Sequence, residues 1–519
     1  MVKIINPKVT VVSYGPELKL SEDITITPDE FVYGASGITY KGMGSVDELI
    51  KMKLEDVDFS EKMLKSIIKS AGAGHASLAT TPGFWAILEG NSSKLVDSIF
   101  TGATFSSSLM PSGRRVPICQ GEIVVPKGIH EAGKNAENIY LKVLSDTIQA
   151  YEVLQTKGVS KQEASKIVPY GHSGGGFVFM PLETLIHFSK LAEKNPLAIP
   201  EEGKEIISQL ETFLHQHGMG VTYEARKEAP RTGCVNPNIF QFEKNFAQEE
   251  FEKTPNEIYL GPKLLSLKDL PSEERTRRIE RYFKHKEEML KDTEHLWKKS
   301  LGELEGIIDD FNDSVRVQII ESVSWRVWGE IKRHRTLSHT PESIYHAVDR
   351  ASMGISDPSQ WQTLISTPES VLNEKDNLTI WANAFSNSIN AYNQLVKSGI
   401  KKSDAIALIP RGIKLAVIKD FDLYNMTTGY ISLRLCNTCE PEMRRTTELE
   451  RNLIRSLLEN DVTSLISPKC YYGGFCPEDS YKTCCGKIKQ VVPGYDEERH
   501  KAIWEYRKNQ INERIIAKK

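Results

Sequence analysis

Residues 150–169 read AYEVLQTKGVSKQEASKIVP, and residues 391–410 read AYNQLVKSGIKKSDAIALIP. The two stretches align without a gap at an offset of 241 residues. Each predicts a helix that stops at a glycine, a short second helix and an exit marked by proline. This self-similarity predicts an internal duplication of the chain. The identical pairs are Ala150 and Ala391, Tyr151 and Tyr392, Leu154 and Leu395, Gly158 and Gly399, Lys161 and Lys402, Ala164 and Ala405, and Pro169 and Pro410.

The length of the chain also predicts more than one domain. At 519 residues it exceeds a single hydrophobic core, which stops growing near about 250–300 residues. We predict a first domain over 1–235, a second over 264–460 and a cysteine-rich extension over 461–519. The segment 236–263 is predicted as a linker because proline, asparagine and glycine recur there without helical periodicity.

Local patterns predict a mixed fold in which helix dominates. Residues 272–330 are dense in Glu, Lys and Arg, with apolar residues at three- and four-residue spacings, so we expect them to be largely helical. That prediction includes the apolar run VQIIESVSWRVW. The segments KVTVVSYG and ITITP near the N-terminus favour strands instead.

The composition limits the classes of ligand and the compartment. Charged residues make up 26% of the chain and the formal net charge is -3, which argues against a nucleic-acid-binding protein. An anionic ligand would have to be bound by a local cluster of arginines. No apolar stretch approaches about 18 residues and no leader pattern opens the chain, so we expect a cytoplasmic protein without a membrane span.

One such cluster lies in EIKRHRTLSHTPESIYHAVDR, residues 330–350, where Arg333, His334 and Arg335 follow one another. Arginine presents a planar, permanently charged fork that can bind two phosphate oxygens at once, and a neighbouring histidine can donate a hydrogen bond or stack on a ring. These residues therefore favour phosphate or flavin binding. The alternative is a solvated basic face at the end of a helix.

This segment resembles the signature of flavin-dependent thymidylate synthases, R-H-R-x-x-S-x-N-x-x-S-x-R. Besides the triplet, Ser338 and Ser343 match it, whereas Thr340 and Tyr345 replace its asparagine and last arginine. A second element, LRLCNTCEPEMRR, is similar to the late L-R-x4-A-Q-x-E-[IL]-R element of the family. Its matching residues are Leu433, Arg434, Glu442 and Arg444.

The first copy retains what the second lost. In FTGATFSSSLMPSGRRV, Ser112 and Arg114 match the S-x-R part of the signature, and Gly102, Ala103 and Thr104 stand where the RHR triplet belongs. This complementary loss favours specialised copies. The alternative is neutral decay of one redundant site.

The resemblance implies an α+β fold of two tandem, helix-rich copies, each with an antiparallel sheet, that form a pseudo-dimer. It implies reductive methylation of dUMP to dTMP with methylenetetrahydrofolate, reduced FAD and NADPH, and without a protein nucleophile. Because the family forms homotetramers, two fused chains would complete the assembly as a homodimer. The implied FAD contacts are Arg333, His334, Arg335 and Ser338, and the implied nucleotide contacts are Ser112, Arg114, Ser343 and Arg444.

Two departures leave other functions open. Glu330 replaces an expected glutamine, and only Asp422 and Asn425 appear near the place of an expected Asn-x-Arg. One alternative is a flavin-dependent methyl- or hydroxymethyltransferase that acts on another pyrimidine. Another is a non-catalytic flavin- or nucleotide-binding descendant.

Six of the eight cysteines cluster near the C-terminus, in the runs CNTC and CYYGGFCPEDSYKTCC. Thiolates arriving in pairs are typical of tetrahedral zinc or of an iron–sulfur cluster. The alternative is a set of buried thiols that pack as small apolar residues. The predicted metal ligands are Cys436, Cys439, Cys470 and Cys476, with Cys484 and Cys485 nearby.

Overall fold

The computed structural model describes residues 2–22, 24–42, 45–112, 116, 118–289, 296–458, 460–477, 487–492 and 494–517. The chain forms two compact units, each built from separate stretches of sequence. The first unit comprises Met1–Asn245, Ser324–Arg335 and Pro341–Leu415. The second comprises Phe246–Val323, Thr336–Thr340 and Ala416–Lys519.

Helices make up most of the regular secondary structure. Up to residue 245 they are α1 Pro28–Lys41, α2 Val46–Glu55, α3 Phe59–Ala71, α4 Ser77–Thr80, α5 Leu95–Phe100, α6 Lys127–Glu131, α7 Lys134–Thr156, α8 Lys161–Ala164, α9 Leu182–Lys194, α10 Glu201–Gln216 and α11 Gly220–Lys227. Between 246 and 354 they are α12 Phe246–Lys253, α13 Pro255–Leu260, α14 Glu273–Met289, α15 Leu296–Phe311, α16 Trp325–Ile331 and α17 Ile344–Gly354. Beyond these lie α18 Trp361–Leu364, α19 Glu369–Leu372, α20 Lys375–Lys397, α21 Lys402–Ala405, α22 Leu423–Met426, α23 Tyr430–Arg434, α24 Pro441–Leu457, α25 Asn460–Ser464, α26 Lys469–Gly473, α27 Lys487–Val491 and α28 Glu497–Ile516.

The structure has two four-stranded sheets with the same strand order. In each sheet, the strand that comes last in the sequence lies between the strands that come second and third. The first sheet has the order β1-β4-β6-β5 and the second has the order β7-β8-β10-β9. The described pairings β1 with β4, β4 with β6, β5 with β6, and β7 with β8 are antiparallel. The predicted α+β class with an antiparallel sheet in each copy is therefore confirmed. The strands are β1 Asn6–Gly15, β2 Leu18–Lys19, β3 Thr25–Ile26, β4 Gly83–Asn91, β5 Ser107–Leu109, β6 Gly176–Pro181, β7 Lys263–Asp269, β8 Val315–Ser324, β9 Ser338–Pro341 and β10 Lys414–Asp422.

The duplicated stretches form matching helices that pack together inside the first unit. Helices α7 and α20 each have 23 residues, and α20 begins and ends 241 residues after α7. They lie against one another, and Pro169 pairs with Pro410 in an isolated antiparallel bridge. Large apolar side chains are buried where the two helices meet, and burial of each contributes about 1.5–3 kcal/mol to the free energy of folding, so this shared face is a major part of the core. The buried pairs of equivalent residues are Tyr140 and Trp381, Leu144 and Phe385, Ile148 and Ile389, Tyr151 and Tyr392, and Leu154 and Leu395.

The prediction of helix over 272–330 is wrong in one part. Helices α14 and α15 are present, but the first eight residues of VQIIESVSWRVW belong to strand β8, and helix α16 begins only at Trp325. β-Branched residues alternate along this strand, and its odd-numbered residues are all buried. Because both faces of the strand carry apolar residues, the run resembles a helical pattern when it is read along the sequence.

The predicted linker 236–263 also contains regular structure. Helices α12 and α13 occupy half of it, and Pro255 opens α13 at a position where proline is tolerated. Phe251 and Ile258 pack with Ile320 of β8 in one hydrophobic cluster. Helices of eight and six residues are too short to show a clear period, so only their packing on the sheet identifies them.

The compact units do not coincide with the predicted copies. The first unit contains residues of both copies, because α20 of the second copy packs on α7 of the first. The boundaries 1–235, 264–460 and 461–519 stay predictions about the copies, and so does the pseudo-dimer. In the described part of the chain, no helix combines the length and the apolar character that a membrane span requires.

Candidate functional site

The Arg333–Arg335 triplet follows directly on helix α16 in the first unit. Ser324 caps the start of this helix by accepting a hydrogen bond from the Val327 backbone N–H at 3.2 Å. Trp325, Trp328 and other buried apolar residues anchor the helix. The triplet is therefore fixed in place by a buried helix but lies beyond its end, where its side chains reach the surface.

Two side chains of the triplet contact the first copy, and one of them, Arg335, reaches Ala103 in the stretch that stands at the equivalent place in the alignment. Arg335 Nε donates to the Ala103 carbonyl at 3.0 Å, and its Nη2 donates to the Thr101 carbonyl at 3.4 Å. Arg333 Nη2 lies 3.3 Å from Asp97 Oδ1 on α5. The triplet of the second copy thus contacts residues 97–103 of the first copy within one compact unit.

Asp97 lies among three cations. Lys94 Nζ is 3.7 Å and Lys332 Nζ is 3.9 Å from its carboxylate, in addition to Arg333. Burial would raise the pKa of the Asp97 carboxyl, but these positive charges outweigh burial and lower the pKa below its usual range. Burial lowers the pKa of Lys332 to about 7, and the attraction of Asp97 offsets this only in part. We call Lys94, Asp97, Lys332, Arg333 and Arg335 the cationic cluster.

A single carboxylate does not neutralise this cluster, so it favours an anionic ligand. Arg333 remains 43% exposed despite its contact with Asp97, and its guanidinium is accessible to a ligand. Burial, and then the charge of Arg333, lower the pKa of the Arg335 guanidinium, yet an arginine stays charged at neutral pH. Two neighbouring guanidinium groups of this kind suit a phosphate or diphosphate.

A buried stack of side chains lies in the same unit. Tyr170 and Arg411 occupy equivalent places, 241 residues apart, after the duplicated prolines. The Arg411 guanidinium carbon lies 5.6 Å from the centre of the Tyr170 ring, and its Nε donates to the Val168 carbonyl at 3.1 Å. The Tyr170 and Trp325 rings are 4.4 Å apart. Burial lowers the pKa of Arg411 to about 10, so it adds another positive charge near neutral pH.

The S-x-R segment of the first copy lies next to the cationic cluster, because the residue before it accepts a hydrogen bond from a lysine of the cluster. Lys94 Nζ donates to the Pro111 carbonyl at 2.6 Å, and Ser112 follows directly. The Ser112 carbonyl accepts a hydrogen bond from the Val116 backbone N–H at 3.0 Å. Arg114 lies outside the described residues, so its predicted contact stays a prediction.

In the second copy, the matching S-x-R positions face the interior instead. Ser343 is 1% exposed at the start of α17, and Tyr345 is fully buried and donates from its hydroxyl to the Leu197 carbonyl at 3.2 Å. The burial of Ser343 does not favour its predicted nucleotide contact. The tyrosine that replaced the family's arginine serves the core of the first unit.

Two other predicted contacts, Ser338 and Arg444, belong to the second unit. Ser338 is an exposed residue at the start of β9. Arg444 lies in the first turn of α24, and its Nη1 donates to Asn437 Oδ1 at 2.9 Å. Glu440 caps this helix by accepting from the Met443 backbone N–H at 2.8 Å. The roles of Ser338 and Arg444 in ligand binding stay predictions.

The departures from the signature have structural partners. Glu330 forms an ion pair of 3.2 Å with Arg326 in the first unit. In the second unit, Asp422 caps α22 by accepting from the Asn425 backbone N–H at 2.8 Å, and Asn425 Nδ2 donates to the Thr336 carbonyl at 3.1 Å. Asp422 and Asn425 therefore maintain a local turn.

The four predicted metal ligands are buried thiols. Across the described residues, no group of three or more Cys, His, Asp or Glu side chains is arranged to bind a metal ion. Cys470, for example, packs in an apolar cluster with Ile488 and Val492. Cys484 and Cys485 lie outside the described residues. These four cysteines thus do not form a site by themselves, and a metal centre stays a prediction.

Sequence analysis missed a buried ionic network in the second unit. Lys419 of β10 contacts Glu321 of β8 and Glu450 of α24, and its Nζ lies 2.9 Å from the Tyr430 hydroxyl. Both carboxylates and the ammonium are buried. Burial, reinforced by the charge of Glu321, raises the pKa of Glu450 to about 8. The sequence signal that could have revealed this network is a charged residue within each of two apolar strands. Glu321 lies in VRVQIIESVS and Lys419 lies in KLAVIKDFD.

Comparison with known proteins gives one family match. Residues 22–206 and 314–458, more than half of the chain, match the family described as thymidylate synthase complementing protein. The flavin-dependent thymidylate synthase of Pyrococcus abyssi is 25% identical over 162 residues, which are 31% of this chain and 63% of that enzyme. The corresponding protein of Thermococcus onnurineus is 21% identical over 177 residues, which are 32% of this chain and 68% of that enzyme.

Solved structures also match, among them the following two. A UMP/dUMP methylase from Streptomyces cacaoi bound with 5-Br dUMP has a TM-score of 0.34 and 14% identity, and the match covers 45% of this chain and 99% of that one. Thymidylate synthase X from Helicobacter pylori with FAD and dUMP has a TM-score of 0.27 and 13% identity, with 40% and 96% covered.

Proposed function

This chain belongs to the thymidylate synthase complementing protein family, and from that premise we propose that it is a flavin-dependent thymidylate synthase that methylates dUMP to dTMP. The cationic cluster carries the proposal. It joins the RHR triplet of one matched segment to Asp97 of the other, inside one compact unit. The surplus positive charge of this cluster is what a phosphorylated cofactor or substrate requires.

The hydrogen-bond donors of the RHR triplet fit the groups that FAD presents. Arg333 and Arg335 would bind its diphosphate through charge-assisted hydrogen bonds, each contributing about 1.5–3 kcal/mol, and His334 would contact the flavin. When bound, reduced FAD supplies the hydride of the reaction. The chain's own part is to bind, orient and exclude water, so no protein nucleophile is proposed.

The nucleotide phosphate would be bound by the first copy. Ser112 and Arg114 are the proposed contacts, and the bond from Lys94 to Pro111 supports them because it ties their segment to a cation of the cluster. The folate and NADPH are proposed as co-substrates on the resemblance alone. Two chains, each of 58.5 kDa, are proposed to assemble as a homodimer in the cytoplasm.

The proposed division of labour predicts a selective loss in Arg114→Ala. With FAD bound, this variant should bind dUMP roughly 10- to 150-fold more weakly than the unmodified protein, because one charge-assisted contact of about 1.5–3 kcal/mol is lost. Its flavin spectrum should not change. Calorimetric titration with dUMP measures the difference.

Arg115→Ala is the matched control, since it removes the same charge one residue outside the S-x-R pattern. Equal dUMP affinities of Arg114→Ala and the unmodified protein would contradict the assignment. If neither protein binds dUMP, the acceptor is another molecule. The methyl- or hydroxymethyltransferase on another pyrimidine then becomes the better proposal, and it is supported by Asp422 and Asn425 standing where the family has an Asn-x-Arg.

A non-catalytic descendant is the remaining alternative. It predicts FAD or nucleotide binding without product formation. An assay for dTMP from dUMP, methylenetetrahydrofolate and NADPH distinguishes it from both enzyme proposals.

A further inference from the structure

A cavity in the first unit differs in its chemistry from the cationic cluster, because the charged residues that line it are mainly acidic. It measures about 490 Å³, and five carboxylates line it against one lysine and one histidine. Apolar residues, among them Ile5, Leu95 and Pro126, form part of its wall. We propose that this cavity binds a small aliphatic di- or polyamine.

Asp404 of α21 is the central residue of this site. It is 6% exposed, and among the described residues no hydrogen-bond donor or ion-pair partner contacts its carboxylate. Burial and then the charge of Glu201 raise the pKa of Asp404 to about 6, and Lys401 and Lys204 oppose this only from a distance. The carboxylate is therefore largely ionised at neutral pH but lacks a cation in contact with it.

The neighbouring residue gives an independent indication of a ligand. Ser403 lines the same cavity and is 2% exposed, and its hydroxyl has no hydrogen-bond partner among the described residues. A buried hydroxyl without a partner costs free energy, which a ligand that reaches it with a donor or an acceptor would recover. The hydroxyl can accept a hydrogen bond from an ammonium group.

Glu202 offers a second carboxylate without a cation. It accepts hydrogen bonds from the Ser92 hydroxyl and the Ser93 backbone N–H, each at 2.7 Å, and from the Ser93 hydroxyl. These donors are all uncharged. Of the other acidic residues of the lining, Glu201 has Lys204 at 2.8 Å and Glu131 has Lys127 at 4.0 Å, and Glu205 accepts a hydrogen bond from Gln209 Nε2 at 3.3 Å. Asp404 and Glu202, two buried carboxylates without a contacting cation, favour a ligand with more than one ammonium group.

In the first copy, the carboxylate at the equivalent position has hydrogen-bond partners within the protein. Glu163 of α8 is the counterpart of Asp404, 241 residues earlier, and it is satisfied by the hydroxyls of Ser160 at 3.0 Å and Ser370 at 3.3 Å. Lys401 replaces Ser160 in the second copy, and the side-chain cap is lost. Gly128 leaves room for Asp404, since a Cβ there would lie 2.3 Å from Asp404 Oδ2.

A metal ion is a poorer occupant than an amine. Within the described ranges, no three acidic, histidine or cysteine side chains are arranged to bind a metal together. The apolar wall also suits the methylene groups of an aliphatic amine, which a metal ion lacks. The proposal does not depend on the flavin reaction.

Calorimetric titration of the full chain with 1,4-diaminobutane and with spermidine tests the site. We expect saturable binding that Asp404→Asn weakens roughly 10- to 150-fold, as the loss of one charge-assisted contact requires. Ser403→Ala should weaken it less. Glu163→Gln is the matched control and should leave the affinity unchanged. Butan-1-ol, which has no charge, should not bind.

A stability measurement separates a ligand site from a structural carboxylate. Asp404→Asn should raise the denaturant midpoint or leave it unchanged, because it removes a buried charge without a partner. No saturable binding of either amine, equal amine affinity in Asp404→Asn, or equal binding of butan-1-ol would each overturn the proposal. A lower midpoint with unchanged affinity would identify Asp404 as a structural residue and overturn it as well.

Discussion

The double variant Arg333→Ala/Arg335→Ala is expected to purify without FAD. The two guanidinium groups are the accessible cations of the cluster, and each charge-assisted contact to a diphosphate contributes about 1.5–3 kcal/mol. Losing both should weaken FAD binding by roughly 100- to 20,000-fold, which is enough to lose the cofactor during purification. The visible spectrum of the purified protein, followed by titration with added FAD, measures this.

Two controls separate flavin binding from folding. Arg277→Ala/Arg281→Ala removes two arginines of α14 and should keep FAD. Arg335→Lys keeps the charge but loses the planar fork, so we expect an intermediate affinity. A double variant that keeps unmodified affinity for FAD would show that the triplet is only a basic surface. Circular dichroism of each variant checks that the contacts with Thr101, Ala103 and Asp97 are not needed for the fold.

Lys419→Met is expected to reduce the free energy of unfolding by roughly 3–5 kcal/mol. The substitution leaves Glu321 and Glu450 buried without their shared cation, and an unpaired buried charge is far more costly than an apolar residue of similar size. Urea unfolding gives the difference. Adding Glu321→Gln and Glu450→Gln to the same chain should recover much of the loss. A single variant as stable as the unmodified protein would contradict the assigned network.

The same network predicts a pH dependence. The pKa of Glu450 is raised to about 8 in the folded state, so the folded protein keeps a proton that the unfolded chain releases near the ordinary value for glutamate. The contribution to stability is therefore complete at low pH and is lost as the pH rises toward 8. Glu450→Gln removes this dependence. Its stability relative to the unmodified protein should rise between pH 5 and pH 8, by up to about 1.4 kcal/mol per pH unit.

Several features of the site could be predicted from the sequence. The RHR triplet stood out because three consecutive polar residues with this chemistry interrupt an apolar pattern, and the structure places two of them at the surface with a surplus of positive charge. The cation partners of the triplet could not be predicted. Asp97 is 236 residues away from Arg333, and no local pattern links the two positions.

The sequence by itself identified the repeated stretches 150–169 and 391–410 and predicted a helix in each. Helices α7 and α20 bury the same five equivalent positions, because a helical period of 3.6 residues is written directly into the spacing of apolar side chains. Strand and helix signals in the sequence indicated a mixed fold, and the family resemblance implied the α+β class.

Only the tertiary structure decided what depends on contacts between distant segments. Strand β8 was mistaken for helix because apolar residues on both of its faces hide the alternation, and helices α12 and α13 are stabilised by packing on the second sheet. The charge pairs of Asp97 and Lys419 and the cavity beside Asp404 arise where elements far apart in the chain meet. The periodicity of apolar residues indicates which face of a helix or strand is buried, but not which charged side chain of another element lies opposite that face. These pairings between elements set the electrostatics of the cationic cluster, the buried network and the acidic cavity.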